Sequence, residues 1–332
     1  MHYESWCSLS NAELGRRDIA EVNLAASQYL PMAEDVDFTP LLRQIDQASD
    51  LCQAAISRAW GRRTSREFSL LSDNQFRLLV MVTTLQRELG VRYNLPFSEG
   101  EYDATDSRNL FLHGILSGHG GTCVTMPVLY LAIGRRLGFP LKLVKAKEHF
   151  FCRWEGSDGE KFNIEATCRG FKSDPDERYM NWPRPISAIE LERGWYLRSL
   201  SAREELSQFL AARGNCFFDN LLTRQAIEAY DYACKIDPDC PAHQNHLGWS
   251  IILHRAMTAL REQAKLDPLS MELSMPPPRT EWEAAMYPVV LQHLQRILSN
   301  HKNRRAATAR DAFFQMSVGA TNTGEVSCTI PS

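Results

Sequence analysis

No stretch of this chain is apolar for the roughly 18 residues that a membrane-spanning helix needs, so no membrane span is expected. There is no basic excess: 37 Lys and Arg stand against 40 Asp and Glu, a net charge of −3, which argues against a nucleic-acid surface. The start, Met1-His2-Tyr3-Glu4-Ser5-Trp6-Cys7, has no basic segment followed by an apolar one, so no secretory leader is expected. No two cysteines have CxxC spacing. The nine are scattered as Cys7, Cys52, Cys123, Cys152, Cys168, Cys216, Cys234, Cys240 and Cys328, an odd number. That pattern excludes an obvious disulfide framework and fits reduced thiols in a cytoplasmic protein.

What is present is ample material for hydrophobic cores: 332 residues, 44% of them hydrophobic, which favours more than one domain. The first part, 1–95, reads as helical. Leu41, Leu42, Ile45, Ala48, Leu51, Cys52, Ala55 and Ile56 form an apolar stripe at helical spacing, and Leu70 to Leu89 forms a third helical run that stops at Gly90. A mixed core follows over 96–200, in which the period changes to that of strands at Leu141 to Lys147, His149 to Trp154 and Lys161 to Ala166. Lys142, Lys145 and Lys147 read as a solvated strand edge that discourages pairing. The polar stretch Ser173 to Pro185, with Trp182-Pro183, reads as a covering loop. Helix is expected again from Ser187 to about Leu266.

Over 201–272 a helical repeat is visible. Leu210, Gly214, Phe217, Ala226, Tyr230, Ala233 and Pro238 have the spacing of a tetratricopeptide unit, and Leu247-Gly248 lies 34 residues after Arg213-Gly214. The second copy is worn, since Asp237-Pro238 recurs only 30 residues on, at Asp267-Pro268. A linker at Met275 to Pro278 and a last helix, Glu281 to Leu298, fall in 273–320, and 321–332 reads as a disordered tail. His243, His246 and His254, with Cys240, match no established metal-ligand spacing and read as helix surface. No metal and no cofactor are expected.

The chemistry concentrates at Gly120-Gly121-Thr122-Cys123, which opens the apolar run Val124 to Ile133. The glycines permit unusual backbone angles, Pro127 is tolerable only near a helix start, and the helix N-terminus lowers the pKa of a thiol placed there. His149 follows 26 residues later, in a strand, and Asn163 and Glu165 lie on the next one. A thiol, an imidazole and an orienting acid or amide are what a cysteine nucleophile needs. A hairpin looping at Gly156-Ser157-Asp158 sets His149 opposite Glu165, on one face, and Asn163 opposite Phe151. Glu165 is therefore the favoured orienting group and Asn163 the alternative.

Gly-Gly-Thr-Cys123, Leu137-Gly138-Phe139-Pro140, His149-Phe150-Phe151-Cys152-Arg153-Trp154 and Asn163-Ile164-Glu165-Ala166-Thr167 together resemble the bacterial transglutaminase-like superfamily, in its SirB-type branch. Asn109-Leu110-Phe111-Leu112 and Ile19-Ala20-Glu21-Val22-Asn23-Leu24 extend the resemblance over roughly residues 15–200. It implies an α+β, papain-like fold, with a helical N-terminal part and a central cysteine-bearing helix on an antiparallel sheet, followed by a helical repeat region. It also implies Cys123 as nucleophile, His149 as base and Glu165 as the third member, where the family usually has aspartate in an Asp-Pro-Thr pattern. The reaction implied is acyl transfer from an amide or ester, by hydrolysis or transamidation. Many SirB-type members lack the cysteine; this chain keeps it. The alternative is a silent scaffold that binds a protein or peptide partner through its helical repeats.

Overall fold

A computed structural model describes residues 3–94, 103–264, 278, 280–292, 295 and 299. Tyr102, the second Asp-Pro pair at Asp267-Pro268, linker residues 275–277 and the tail 321–332 lie outside the described residues. The chain forms two compact units, Met1–Ser250 and Ile251–Ser332. Among the described residues, no helix is long and apolar enough to cross a membrane.

The first unit begins with helices whose starts are fixed by side chains. Asp18 accepts from the Ala20 amide at 2.8 Å to begin Ile19–Ser27, and Asp37 does the same for the Thr39 amide at 2.9 Å to begin Phe38–Ala59. Ser72 and Gln75 close a reciprocal capping box on Asp73–Thr83. Helix Phe38–Ala59 buries Ile45, Ser49, Cys52, Ala55 and Ile56, whereas Leu51 of the expected stripe faces outward. The third helical run ends in a wider turn, Thr84–Glu88, and Gly90 stops it at φ 68°.

The centre of the unit is helix Thr125–Arg136, whose residues Thr125 to Gly134 are all buried. On it lies an antiparallel sheet of β1 (Leu141–Ala146), β2 (His149–Glu155) and β3 (Lys161–Ile164), in the order β1-β2-β3. Alternation sorts the strands into two faces. Cys152 faces the helix and donates from Sγ to the Pro127 carbonyl at 3.3 Å. Gly134 lets β1 approach, since a Cβ there would lie 2.4 Å from Leu141 Cδ1. On the other face Val144, Ala146 and Phe151 pack with Tyr179 in one buried cluster.

Two local features differ from the sequence expectation. Asn163 lies opposite Arg153, not Phe151, a two-residue shift in register. The three-residue loop is Ser157-Asp158-Gly159, closed by the Gly156 amide donating to the Glu160 carbonyl at 2.8 Å. Gly159, at φ 88°, supplies the left-handed residue that ends a three-residue hairpin loop, and this moves the turn by one position. An even shift keeps every side chain on its face, so His149 and Glu165 stay on the same side. The lysine-rich edge of β1 is covered, too. Helix is interrupted at Gly194, and the following segment runs along β1, with Leu197 and Leu200 amides donating to the Lys145 and Leu143 carbonyls at 2.9 and 2.8 Å. The Leu143 and Lys145 carbonyls of that edge are thus satisfied by backbone.

Helices Ala202–Asp219 and Thr223–Ile236 form an antiparallel pair. Gly214 allows their contact, because a Cβ there would lie 2.7 Å from the Tyr230 ring. The pair is fastened to the rest of the unit by buried Arg213, which donates to the Ala26 and Gln28 carbonyls at 2.9 and 2.7 Å between the rings of Tyr3 and Phe217. Arg135 of the central helix adds an ion pair to Glu205 at 2.5 Å. The architecture is α+β: a small antiparallel sheet on a buried helix, with a helical remainder. A further helix spans Pro241–Ala264. In the second unit, residues 281–292 are helical, Thr280 Oγ1 accepts from the Glu283 amide at 3.0 Å, and Arg255 pairs with Glu283 at 2.5 Å.

Candidate active site

Cys123 stands just before the central helix. Thr122 caps that helix: its Oγ1 accepts from the Val124 and Thr125 amides at 3.2 and 3.3 Å, and its carbonyl receives the Met126 amide at 3.0 Å. The glycine turn is held from behind by the segment around Tyr93. The Asn94 amide donates to the Gly121 carbonyl at 2.7 Å, and the Gly121 amide to the Arg92 carbonyl at 2.8 Å. Both glycines are required. Gly120 has φ 91°, and a Cβ on Gly121 would lie 2.3 Å from Met126 Cγ and 2.7 Å from Ile115 Cδ1. His119, read from the sequence as a loop-tip residue, joins Asn94 and Asn109 at 3.2 and 3.0 Å in the polar cluster that pins this turn. Thr122 Oγ1 ties the turn to the Asn109 carbonyl at 2.8 Å.

His149 opens β2 and is buried, and its Nε2 meets Glu165 Oε2 at 2.9 Å. Glu165 lies one residue beyond β3, where its amide donates to the Lys172 carbonyl at 3.0 Å and the chain turns away from the sheet. Its carboxylate is fully engaged. Oε2 also accepts from the Tyr179 hydroxyl at 3.1 Å, while Oε1 accepts from the Thr167 amide and hydroxyl at 2.9 and 2.5 Å. Burial alone would raise the pKa of this group. The hydrogen bond and charge of His149, with the two bonds from Thr167, outweigh it and hold the carboxyl at about 2. Tyr179 is itself fixed by stacking on Phe151 at 3.9 Å, and Trp182 sets its ring edge-on to His149 at 4.7 Å. The covering loop therefore shields the imidazole.

Asn163 goes elsewhere. Its Oδ1 accepts from Arg153 Nε at 2.7 Å, and its Nδ2 donates to the Asp174 carbonyl and to Asp176 at 3.0 and 2.7 Å. Arg153, fully buried, completes the cluster with Leu197 and Asp176. The register that places Asn163 opposite Arg153 removes it from His149.

The thiol differs from the expectation drawn from its place at a helix start. Burial, and after it the negative charge of Glu165, push Cys123 up to about 12; the Tyr93 side chain and the cysteine's own amide favour the thiolate but do not outweigh them. No hydrogen bond joins the sulfur to the imidazole. With Nε2 bonded to Glu165, Nδ1 is the ring nitrogen left to serve a thiol.

Tyr93 and Gln86 were not legible as site residues. Gln86 donates to the Tyr130 hydroxyl and the Cys168 carbonyl, both at 3.0 Å, and accepts from the Gly170 amide at 2.8 Å, which clamps the loop after Glu165 to the central helix. A lone Gln at the end of a helical run carries no sequence signal for that. Around the site, Tyr179 and Trp182 meet His149, Asn109 belongs to the glycine-turn cluster, and Arg108 pairs with Asp106 at 2.7 Å. Phe171 packs edge-on against Phe162 at 6.4 Å.

The fold is an α+β core in which a buried helix carries an antiparallel sheet. The sequence profile of the transglutaminase-like superfamily matches residues 41–210, and the chain belongs to that superfamily. Curated relatives include F-box only protein 21 of Homo sapiens, 28% identical over 144 residues, and of Mus musculus, 27% identical over the same length. Each alignment covers 41% of this chain and 22% of the relative, so the similarity spans about a fifth of those proteins. No solved structure matches the chain.

Proposed function

We propose that the chain is a cysteine acyl-transfer enzyme acting on an amide or ester carbonyl of a protein or peptide, with Cys123 as nucleophile, His149 as base and Glu165 as the group that orients and charges the imidazole. The observation that carries this reading is the buried 2.9 Å bond between His149 Nε2 and Glu165 Oε2, which leaves Nδ1 as the ring nitrogen for a thiol. A thiol held near 12 is neutral at rest. His149 then acts as general base during attack, not as the partner of a preformed thiolate. The sulfur attacks the carbonyl carbon, its proton passes to Nδ1, and the same proton is delivered to the leaving group as the thioester forms. The amide of Cys123 itself, which faces its own sulfur, is the donor for the oxyanion, since those of Val124, Thr125 and Met126 are taken by Thr122. Water or a second amine completes the reaction.

The neutral thiol also favours a second reading, a silent scaffold that grips a protein or peptide partner with the helical pair Ala202–Asp219 and Thr223–Ile236, which we read as tetratricopeptide-like. Within the superfamily we place the chain in the SirB-type branch, of bacterial and cytoplasmic character, on its glycine-cysteine turn and Asn109–Leu112 segment. Screening against a peptide-amide and peptide-ester library separates the two readings. Turnover by wild type that is lost in Cys123→Ala supports the enzyme; equal rates in both proteins support the scaffold.

A further inference from the structure

A second cluster of reactive side chains lies in the first unit, at the turn between helices Thr223–Ile236 and Pro241–Ala264. Asp237, Cys240 and His243 are all buried there, with their ligating atoms within 4.8 Å of one another. The sequence spacing set Cys240 and His243 aside as helix surface without a metal-ligand pattern; the fold instead turns Asp237-x-x-Cys240-x-x-His243 inward, with Pro238 and Pro241 stiffening the turn.

The hydrogen bonds fix which way the imidazole presents itself. Gln208 Nε2, an amide nitrogen that can only donate, lies 3.2 Å from His243 Nε2. That ring nitrogen therefore carries the lone pair, and it stands 4.0 Å from Asp237 Oδ2. Nε2 accepts from Gln208, and the Ser207 hydroxyl, 3.2 Å from Nε2 and 3.5 Å from Oδ2, lies beside both the imidazole and the carboxylate. A cation that displaced the Gln208 donor would meet the imidazole lone pair and the carboxylate together, in a place where burial leaves both poorly hydrated. One cation already stands beside the cluster: Lys145 Nζ is 3.8 Å from Cys240 Sγ and 5.7 Å from the centre of the Tyr196 ring.

We propose that Asp237, Cys240 and His243 form a binding site for a divalent transition-metal ion of zinc type, through one carboxylate oxygen, one thiolate sulfur and one imidazole nitrogen. These are the three donor types that zinc takes. With metal–ligand bonds of about 2.0–2.3 Å, tetrahedral donors lie roughly 3.3–3.7 Å apart, so side-chain adjustments of about 1 Å close the site. Charge balances as well: Cys240 releases its proton to solvent, and thiolate plus carboxylate neutralise the dication. The Lys145 ammonium is then surplus and swings toward the Tyr196 ring. The fourth position is left to water.

The test uses the full chain stripped with a chelator and titrated with Co²⁺, which reports a bound thiolate by a sulfur-to-cobalt charge-transfer absorption. One equivalent should bind with that absorption, Cys240→Ser should abolish it, and Cys123→Ala should keep it. Lys145→Met should tighten binding severalfold, by removing the competing cation. Should Cys240→Ser fail to fold by circular dichroism, His243→Asn serves in its place, with affinity expected to fall at least about tenfold. Absence of the absorption from wild type, its survival in Cys240→Ser, or its loss in Cys123→Ala overturns the proposal.

Discussion

Replacing Glu165 by Gln tests the electrostatics of the site most sharply. The carboxylate accepts four hydrogen bonds, from His149 Nε2, the Tyr179 hydroxyl, and the Thr167 amide and hydroxyl. An amide has one acceptor end. Whichever way Gln is turned, its NH₂ faces donors, and each unmade bond in a buried site costs about 1–3 kcal/mol. Linkage gives a similar figure. A carboxyl lowered from 4.5 to about 2 contributes about 3 kcal/mol of stability, at roughly 1.4 kcal/mol for each pH unit. Because the pKa is depressed in the folded state, this contribution is complete above pH 4.5 and is lost as the pH falls toward 2. At about 2–4 °C per kcal/mol for a unit of this size, Glu165→Gln should melt about 6–12 °C below wild type at pH 7. Melting curves recorded from pH 7 to pH 3 should show the gap narrowing below pH 4.5. Equal melting temperatures at pH 7, or a gap that widens on acidification, refute the reasoning.

Other substitutions probe the support of the site. Gly121→Ala puts a Cβ against Met126 and Ile115, and the overpacking should cost about 1–3 kcal/mol in denaturant melts. Asn163→Ala should destabilise the Arg153 cluster by about 1–3 kcal/mol, yet leave kcat of the folded protein within a few-fold of wild type; a loss of kcat as large as that in Glu165→Gln would make Asn163 the third member of the site after all. Tyr179→Phe removes one bond to Glu165 and keeps the stack on Phe151, so it should cost about 1 kcal/mol in the same melts.

Elements announced by local periodicity were readable from the chain. The buried helix behind Cys123 followed from an apolar run with Pro127 near its start, and the three strands from alternation around Gly138-Phe139-Pro140 and the Gly156–Gly159 loop. The His149–Glu165 face was readable because parity survives an even shift of register, although the turn itself was displaced by Gly159. What depended on the meeting of distant segments was not. The raised thiol of Cys123 reflects burial and the charge of Glu165, which here exceed the local influence of a helix start. Gln86 and Tyr93 reach the site from the helical N-terminal part, and the covering of β1 by Leu197–Leu200 needed the break at Gly194. The turn at Asp237–His243 shows the same limit, since sequence spacing gave no ligand pattern there and the fold brings the three groups within 4.8 Å.

The central claim is that Cys123 is acylated with His149 as its base. Its most direct test is the rate at which an activated ester acylates each cysteine, read by mass spectrometry of intact and digested protein. The account predicts an acyl group on Cys123 ahead of the other eight cysteines, and a rate at least about 10²-fold lower in His149→Ala. Acylation spread over the cysteines by exposure alone, or a Cys123 rate unchanged by His149→Ala, would contradict it.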